Sequence, residues 1–170
     1  MRLPPAACLG LALTAAAPAA AAPVQVTDDG RVETTVLLPV SVDTLRAHLS
    51  DPRWLPGVVG DGTRASLVGQ DGPCQLVDSV SPSAVVEARY RTRHCPTGTG
   101  FRSTLVESKH FEVYESEIVL TADGEGTRLR YRLRVVPSFP VPSAIVRSGL
   151  KSGVQKLSDA LEAWGAAQAK

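Results

Sequence analysis

The stretch from Gly126 to Trp164, GTRLRYRLRVVPSFPVPSAIVRSGLKSGVQKLSDALEAW, changes its hydrophobic period in the middle. Before Pro137, Leu129, Tyr131, Leu133 and Val135 alternate with Arg128, Arg130, Arg132 and Arg134, which places one row on each face of a strand. After Pro142, Val146, Leu150, Val154, Leu157, Leu161 and Trp164 recur at steps of three and four, the spacing that gathers them on one face of a helix. Pro142 or Ser143 starts that helix, and about 24 residues extend it about 36 Å, enough to cross a whole sheet. Gly149 and Gly153 each cost such a helix about 1 kcal/mol relative to alanine. Something compensates: either the sheet approaches closely there, or room is left for a bound molecule.

Upstream of the last strand the pattern predicts five more in succession, Arg64–Gln70, Gln75–Val80, Val85–His94, Phe101–Lys109 and Glu112–Thr121. The links between them are rich in Gly, Pro, Ser and Asp and short enough to join antiparallel neighbours, except at His110-Phe111, which carries no turn signal. Arg31 to Leu38 reads as an opening strand ended by Pro39. Ser41 caps a short helix through Leu49, and Asp51 to Pro56 adds a further turn or brief second helix. The fold class is therefore α+β: one strand, two short helices, six antiparallel strands and a long terminal helix.

The strand faces carry the functional information. Arginines and glutamates fill one side of the last strands, with Glu115 and Glu117 placed as cross-strand partners of the arginine row. On the opposite side, Tyr90, Thr92, His94, Tyr114 and Tyr131 are scattered among apolar residues. Such groups are costly in a dry core unless hydrogen-bonded, but they suit a cavity that holds a ligand with a few polar groups.

Of the 170 residues, 44% are hydrophobic and 18 basic groups balance 17 acidic ones, so the electrostatic footprint of a nucleic-acid binder is missing. Met1-Arg2 followed by the Leu- and Ala-rich run to Ala22 has the form of a secretory signal peptide. Cleavage near Ala21 leaves one domain, residues 22–170, exported to a periplasm or the extracellular space and expected to be monomeric. The two cysteines that remain, Cys74 and Cys95, then read as one disulfide. A tight turn at Pro82-Ser83 sets Cys74 opposite Arg91, however, so bridging requires the chain around Cys95 to fold back.

The order of elements resembles the START-like superfamily of helix-grip proteins, with its Bet v 1-type, polyketide cyclase and lipid-transfer members. The local resemblances are Pro39 to Leu45, the turn from Asp51 to Pro56, Gly126 to Leu129, and Pro140 to Ser143 leading into the final helix. The resemblance implies a curved seven-stranded sheet around the terminal helix, with an apolar cavity between them for a lipid, sterol or polyketide-like molecule. Its lining is expected from Tyr90, Thr92, Tyr114, Ile118, Tyr131 and Leu133 on the sheet, and from Val146, Leu150 and Val154 on the helix. Trp54, Leu55, Val58 and Phe139 are expected at its entrance, where an exposed Trp-Leu-Pro-Gly-Val-Val lip suits brief contact with a membrane.

Chemistry beyond binding has little support. His48, His94 and His110 fall on separate elements without metal-ligand spacing, and no nucleophile elbow, P-loop or dinucleotide fingerprint occurs. No metal, cofactor or catalytic residue is assigned. A cyclase-like enzyme using Tyr90, His94 and Glu112 for proton transfer stays open as an alternative, as does a scaffold with a filled interior that binds a protein through its outer charged rows.

Overall fold

A computed structural model describes residues 22–82 and 87–169. The period-two segments form one antiparallel sheet of eight strands: β1 (Gln25–Val26), β2 (Val32–Leu38), β3 (Arg64–Asp71), β4 (Cys74–Ser81), β5 (Ala88–Pro96), β6 (Gly100–Ser108), β7 (Phe111–Asp123) and β8 (Gly126–Pro137). Their spatial order is β1-β2-β8-β7-β6-β5-β4-β3. Strands β3 to β8 are neighbours in sequence and in space, and the opening strand β2 closes against β8. The eighth strand, absent from the sequence expectation of seven, is β1, two residues that pair with Val32 and Glu33. Two residues are too few to show a period.

Two short helices, α1 (Val42–Leu49) and α2 (Trp54–Val59), follow β2, and α3 (Ser143–Gln168) ends the chain. The Ser41 hydroxyl accepts from the backbone amide of Thr44 at 3.2 Å, satisfying one of the free donors at the start of α1. The predicted signal peptide, and the part of the predicted Val85–His94 strand before Glu87, lie outside the described residues.

The core sits at one end of this assembly. Val32, Val36 and Leu38 of β2, Leu45 of α1, Leu129 of β8, and Val154 and Leu161 of α3 are almost completely buried against one another. The outer face of the sheet is ionic. The register sets Glu115 opposite Arg134 and Glu117 opposite Arg132, and Arg132 pairs with both Glu117 and Glu33. On β4 and β5 the Arg91 guanidinium bonds Asp78 at 2.6 Å and 3.0 Å, holding that carboxyl below the usual aspartate range. Pairing of this kind neutralises much of the arginine row, so it offers no continuous anion-binding stripe.

The β4–β5 register corrects the sequence reading. Gln75 faces His94 and Ser81 faces Ala88, so the link runs from Pro82 to Glu87 rather than turning tightly at Pro82-Ser83. The longer link moves the partner of Cys74 from Arg91 to Cys95. The two cysteines stand directly across the strand pair, with Cα atoms 4.2 Å apart, and are disulfide-bonded with no folding back of the chain. The His110-Phe111 junction is likewise resolved: the Ser108 hydroxyl accepts from the amides of His110 and Phe111 while donating to the Arg89 carbonyl, which closes a tight link without Gly or Pro.

Candidate functional site

Helix α3 is docked unevenly. Its backbone runs close to β2, approaches α2, β8 and β1 less closely, and stands off from the middle of the sheet. Near its C-terminal end, a methyl group built on Gly165 would lie 2.8 Å from Leu38 Cδ2 and 3.1 Å from Pro39 Cδ, so glycine there allows close contact. At Gly149 and Gly153 the same methyl group would meet nothing within 4 Å. Of the two explanations for these helical glycines, close packing fails at Gly149 and Gly153 and room remains. Accordingly Val154, Leu157 and Leu161 are buried, Val146 and Leu150 are only half-buried, and Ile145 is 62% exposed.

The gap between helix and sheet is a cavity of about 670 Å³, within the range of small-molecule sites. Its floor comes from the inward faces of β4, β5, β7 and β8, and its roof from Val146, Gly149, Leu150, Gly153, Val154 and Leu157 of α3. All nine residues expected to line it do so: Tyr90, Thr92, Tyr114, Ile118, Tyr131 and Leu133 on the sheet, and Val146, Leu150 and Val154 on the helix. The pleat accounts for this, since each row was read from an alternation that holds through β7 and β8. The filled interior kept as an alternative is not found.

The entrance expectation divides. Leu55 and Phe139 line the cavity, with Phe139 41% exposed, whereas Trp54 and Val58 do not. Trp54 stacks on His48 with ring centroids 5.1 Å apart and meets Trp164 edge-on at 5.0 Å, so it ties α1 and α2 to α3 on the core side. Val58 also packs against the core. On a six-residue helix, spacing alone does not separate the face turned to the core from the face turned to the cavity.

Polar groups inside the cavity form two clusters. In the first, the phenols of Tyr90, Tyr114 and Tyr131 converge: the Tyr90 and Tyr114 rings are 4.8 Å apart, and the Tyr114 hydroxyl interacts with those of Tyr90, Tyr131 and Ser116. Burial raises the pKa of all three, and for Tyr90 and Tyr131 well above the ordinary value, so they are protonated hydrogen-bond donors at any physiological pH. Sequence reasoning missed Ser79, which faces Tyr90 across β4 and β5 and interacts with its hydroxyl. It also missed Phe111, whose ring lies 5.3 Å from that of Tyr90. The alternation of Val77 and Ser79 with Asp78 and Val80 was the signal for Ser79.

In the second cluster, His94 Nδ1 is 2.9 Å from the Ser103 hydroxyl and Nε2 is 3.2 Å from the Leu49 carbonyl. A carbonyl only accepts, so Nε2 carries the proton and Ser103 donates to Nδ1. Burial lowers the His94 pKa, with the Leu49 carbonyl opposing, which keeps the ring neutral, and the ring stacks on Phe101 at 5.0 Å. Glu112, named beside Tyr90 and His94 for proton transfer, is exposed and outside the lining, because a bulge separates it from the regular pleat of β7. Among the described residues no group of histidine, cysteine, aspartate and glutamate side chains could hold a metal.

A curved antiparallel sheet gripping a C-terminal helix over an apolar cavity is the architecture of the START-like helix-grip superfamily. Residues 29–163 match the family described as polyketide cyclase / dehydrase and lipid transport, and the chain belongs to it. Among curated proteins no sequence matches the chain. Solved structures share the fold. A START superfamily protein from Mycobacterium smegmatis is 19% identical, with TM-score 0.72, over 81% of this chain and 98% of that one. The Zhui aromatase/cyclase from Streptomyces sp. R1128 is 16% identical, with TM-score 0.67, over 82% and 95%. A STAR-related lipid transfer protein from Xanthomonas axonopodis is 16% identical, with TM-score 0.58, over 77% and 85%.

Proposed function

We propose that the chain is exported and that its mature form, from about Ala22 onward, binds a hydrophobic small molecule between sheet and helix without altering it. The observation that carries this reading is the unfilled space of about 670 Å³ beneath two helical glycines whose Cα atoms face into it. Two glycines inside a helix cost about 2 kcal/mol together, a penalty with no packing return at these positions. Family membership supports the same reading, since the family description joins cyclase, dehydrase and lipid-transport members.

Protein purified from its native source and sprayed intact should carry a mass adduct that organic extraction removes. The stripped protein should then take up Nile red, a neutral apolar dye, with a rise in emission. Protein that carries no adduct and leaves the dye unchanged would refute the binding reading.

A second reading, a cyclase-like enzyme, is favoured by the meeting of three phenols at one place. Against it, burial makes those phenols poor bases, and both nitrogens of His94 are engaged. A change in product distribution from a linear poly-β-keto substrate, lost in Tyr114→Phe, would establish the enzyme and displace the carrier.

A further inference from the structure

The cavity is lined by 36 residues and none of them, among the described residues, is a lysine or arginine, although the chain has 18 such residues. The arginines of β5 and β8 lie on the other face of the sheet, where carboxylates pair with most of them. The charges that do reach the lining are acidic. Asp51 stands at the rim, clamped by Arg53 at 2.9 Å and 2.8 Å. Asp61 also lines the cavity; it accepts the Thr63 backbone amide at 2.9 Å and makes no ion pair among the described residues. Its charge is felt at the Tyr90 hydroxyl. Inside, the polar surface is mostly hydroxyl: Tyr90, Tyr114, Tyr131, Ser79, Ser116 and Thr92.

We propose that this cavity selects by charge: it takes uncharged amphiphiles that present a carbonyl, amide or hydroxyl oxygen to the tyrosine cluster, and it rejects carboxylates and other anionic head groups. The inference rests on the binding reading above and narrows it. Moving an anion out of water into an apolar site is costly unless a cation or several donors meet it. Here no lysine or arginine lines the site, the phenols share their hydrogens with one another, and the carboxylate of Asp61, which makes no ion pair among the described residues, adds repulsion at the rim. A neutral oxygen pays little of that desolvation and still accepts from a protonated phenol.

The test compares two amphiphiles that differ only in head-group charge. At pH 8 and below their aggregation limits, oleamide and oleate compete for stripped protein loaded with Nile red. Oleamide should displace the dye at a concentration at least about tenfold below that needed for oleate. Tyr114→Phe, which keeps the ring and removes the hydroxyl, should weaken oleamide about fivefold, the scale of one hydrogen bond. Asp61→Lys, a change at an exposed position, should shift the preference between the two amphiphiles at least about threefold toward oleate. Oleate that matches or exceeds oleamide overturns charge selection while binding itself stands. Failure of dye and both amphiphiles to bind overturns the binding reading, and this inference with it.

Discussion

Three glycines on one helix offer a test in which the same substitution has opposite signs. At Gly149 and Gly153 an added methyl group meets nothing within 4 Å, so alanine gains its helix propensity without a clash. Each change should stabilise the folded protein by about 1 kcal/mol. For a domain of this size 1 kcal/mol moves Tm by roughly 2–4 °C, so the double variant should melt about 4–8 °C higher. At Gly165 the methyl group would stand 2.8 Å from Leu38 Cδ2 and 3.1 Å from Pro39 Cδ. Overpacking there should cost about 1–3 kcal/mol, and propensity returns less near the end of the helix. Thermal unfolding followed by circular dichroism measures all three. Nile red titration of the same samples adds the functional half: Gly153→Leu, which pushes a large side chain into the gap, should keep the fold and lose the dye. Destabilisation by alanine at Gly149 or Gly153 would show that the sheet does close on the helix there, and the argument for the cavity would fail.

Removing the disulfide with Cys74→Ala and Cys95→Ala together should lower stability by about 3 kcal/mol, read from guanidinium unfolding, because the bridge closes a loop with a separation of 21 residues; a loss below about 1 kcal/mol would contradict this. His94 gives a pH dependence of definite sign. Its pKa is lower folded than unfolded, so between the two values the unfolded chain binds the extra proton and stability falls as pH drops through about 6.5. Asp51 and Asp78, held low by their arginines, lose their contributions only below about pH 4. Urea midpoints between pH 7.5 and 5 should therefore decline in the parent and flatten in His94→Gln; parallel slopes would remove His94 as the cause. Leu161→Ala, in the fully buried core, should cost about 2–5 kcal/mol, measured by the same unfolding, and a smaller loss would place the core elsewhere. Intact-mass measurement of protein from its native source should show a chain lacking residues 1–21, and retention of those residues would refute export by signal cleavage.

What could be read from the residues depended on how many repeats of a pattern each segment offers. Strands β7 and β8 give six or more alternations, and α3 gives six apolar positions at helical spacing, so faces and neighbours follow with little ambiguity. The cavity rows came from the same signal. Short elements carried less: β1 has two residues, and α2, with six, packs Trp54 on the core while Leu55 lines the cavity. Loop length was also hidden. Pro82-Ser83 is a good turn pair, yet the link it belongs to runs to Glu87, and an even shift of register preserved which face each side chain takes while changing every partner, Cys74 included. Glycine told where the helix is expensive but not why; only the distance to the nearest atom separates contact from space.

The uneven docking of α3 divides the molecule into a part that folds it and a part that borders the cavity. From Val154 to Gly165 the helix is locked onto β2 by residues with almost no exposure, with Trp164 set against His48 and Trp54, and those contacts exist whether or not the cavity is filled. From Ser143 to Gly153 it overhangs the sheet, and its inward positions, Val146, Gly149, Leu150 and Gly153, face the cavity. A molecule bound in the cavity would therefore add contacts where the fold has few and need not disturb the packing that holds the helix. The overhang is also the segment with least to lose by moving, since its burial is lowest and its two glycines favour helix least. A molecule entering the cavity is expected to displace this end, with the Gly165 end as the fixed point. A bifunctional thiol reagent long enough to span the gap, joining cysteines placed at the Ser143 end and on β5, should then slow dye uptake and release alike while leaving the dissociation constant nearly unchanged; an unaltered rate would place the route elsewhere.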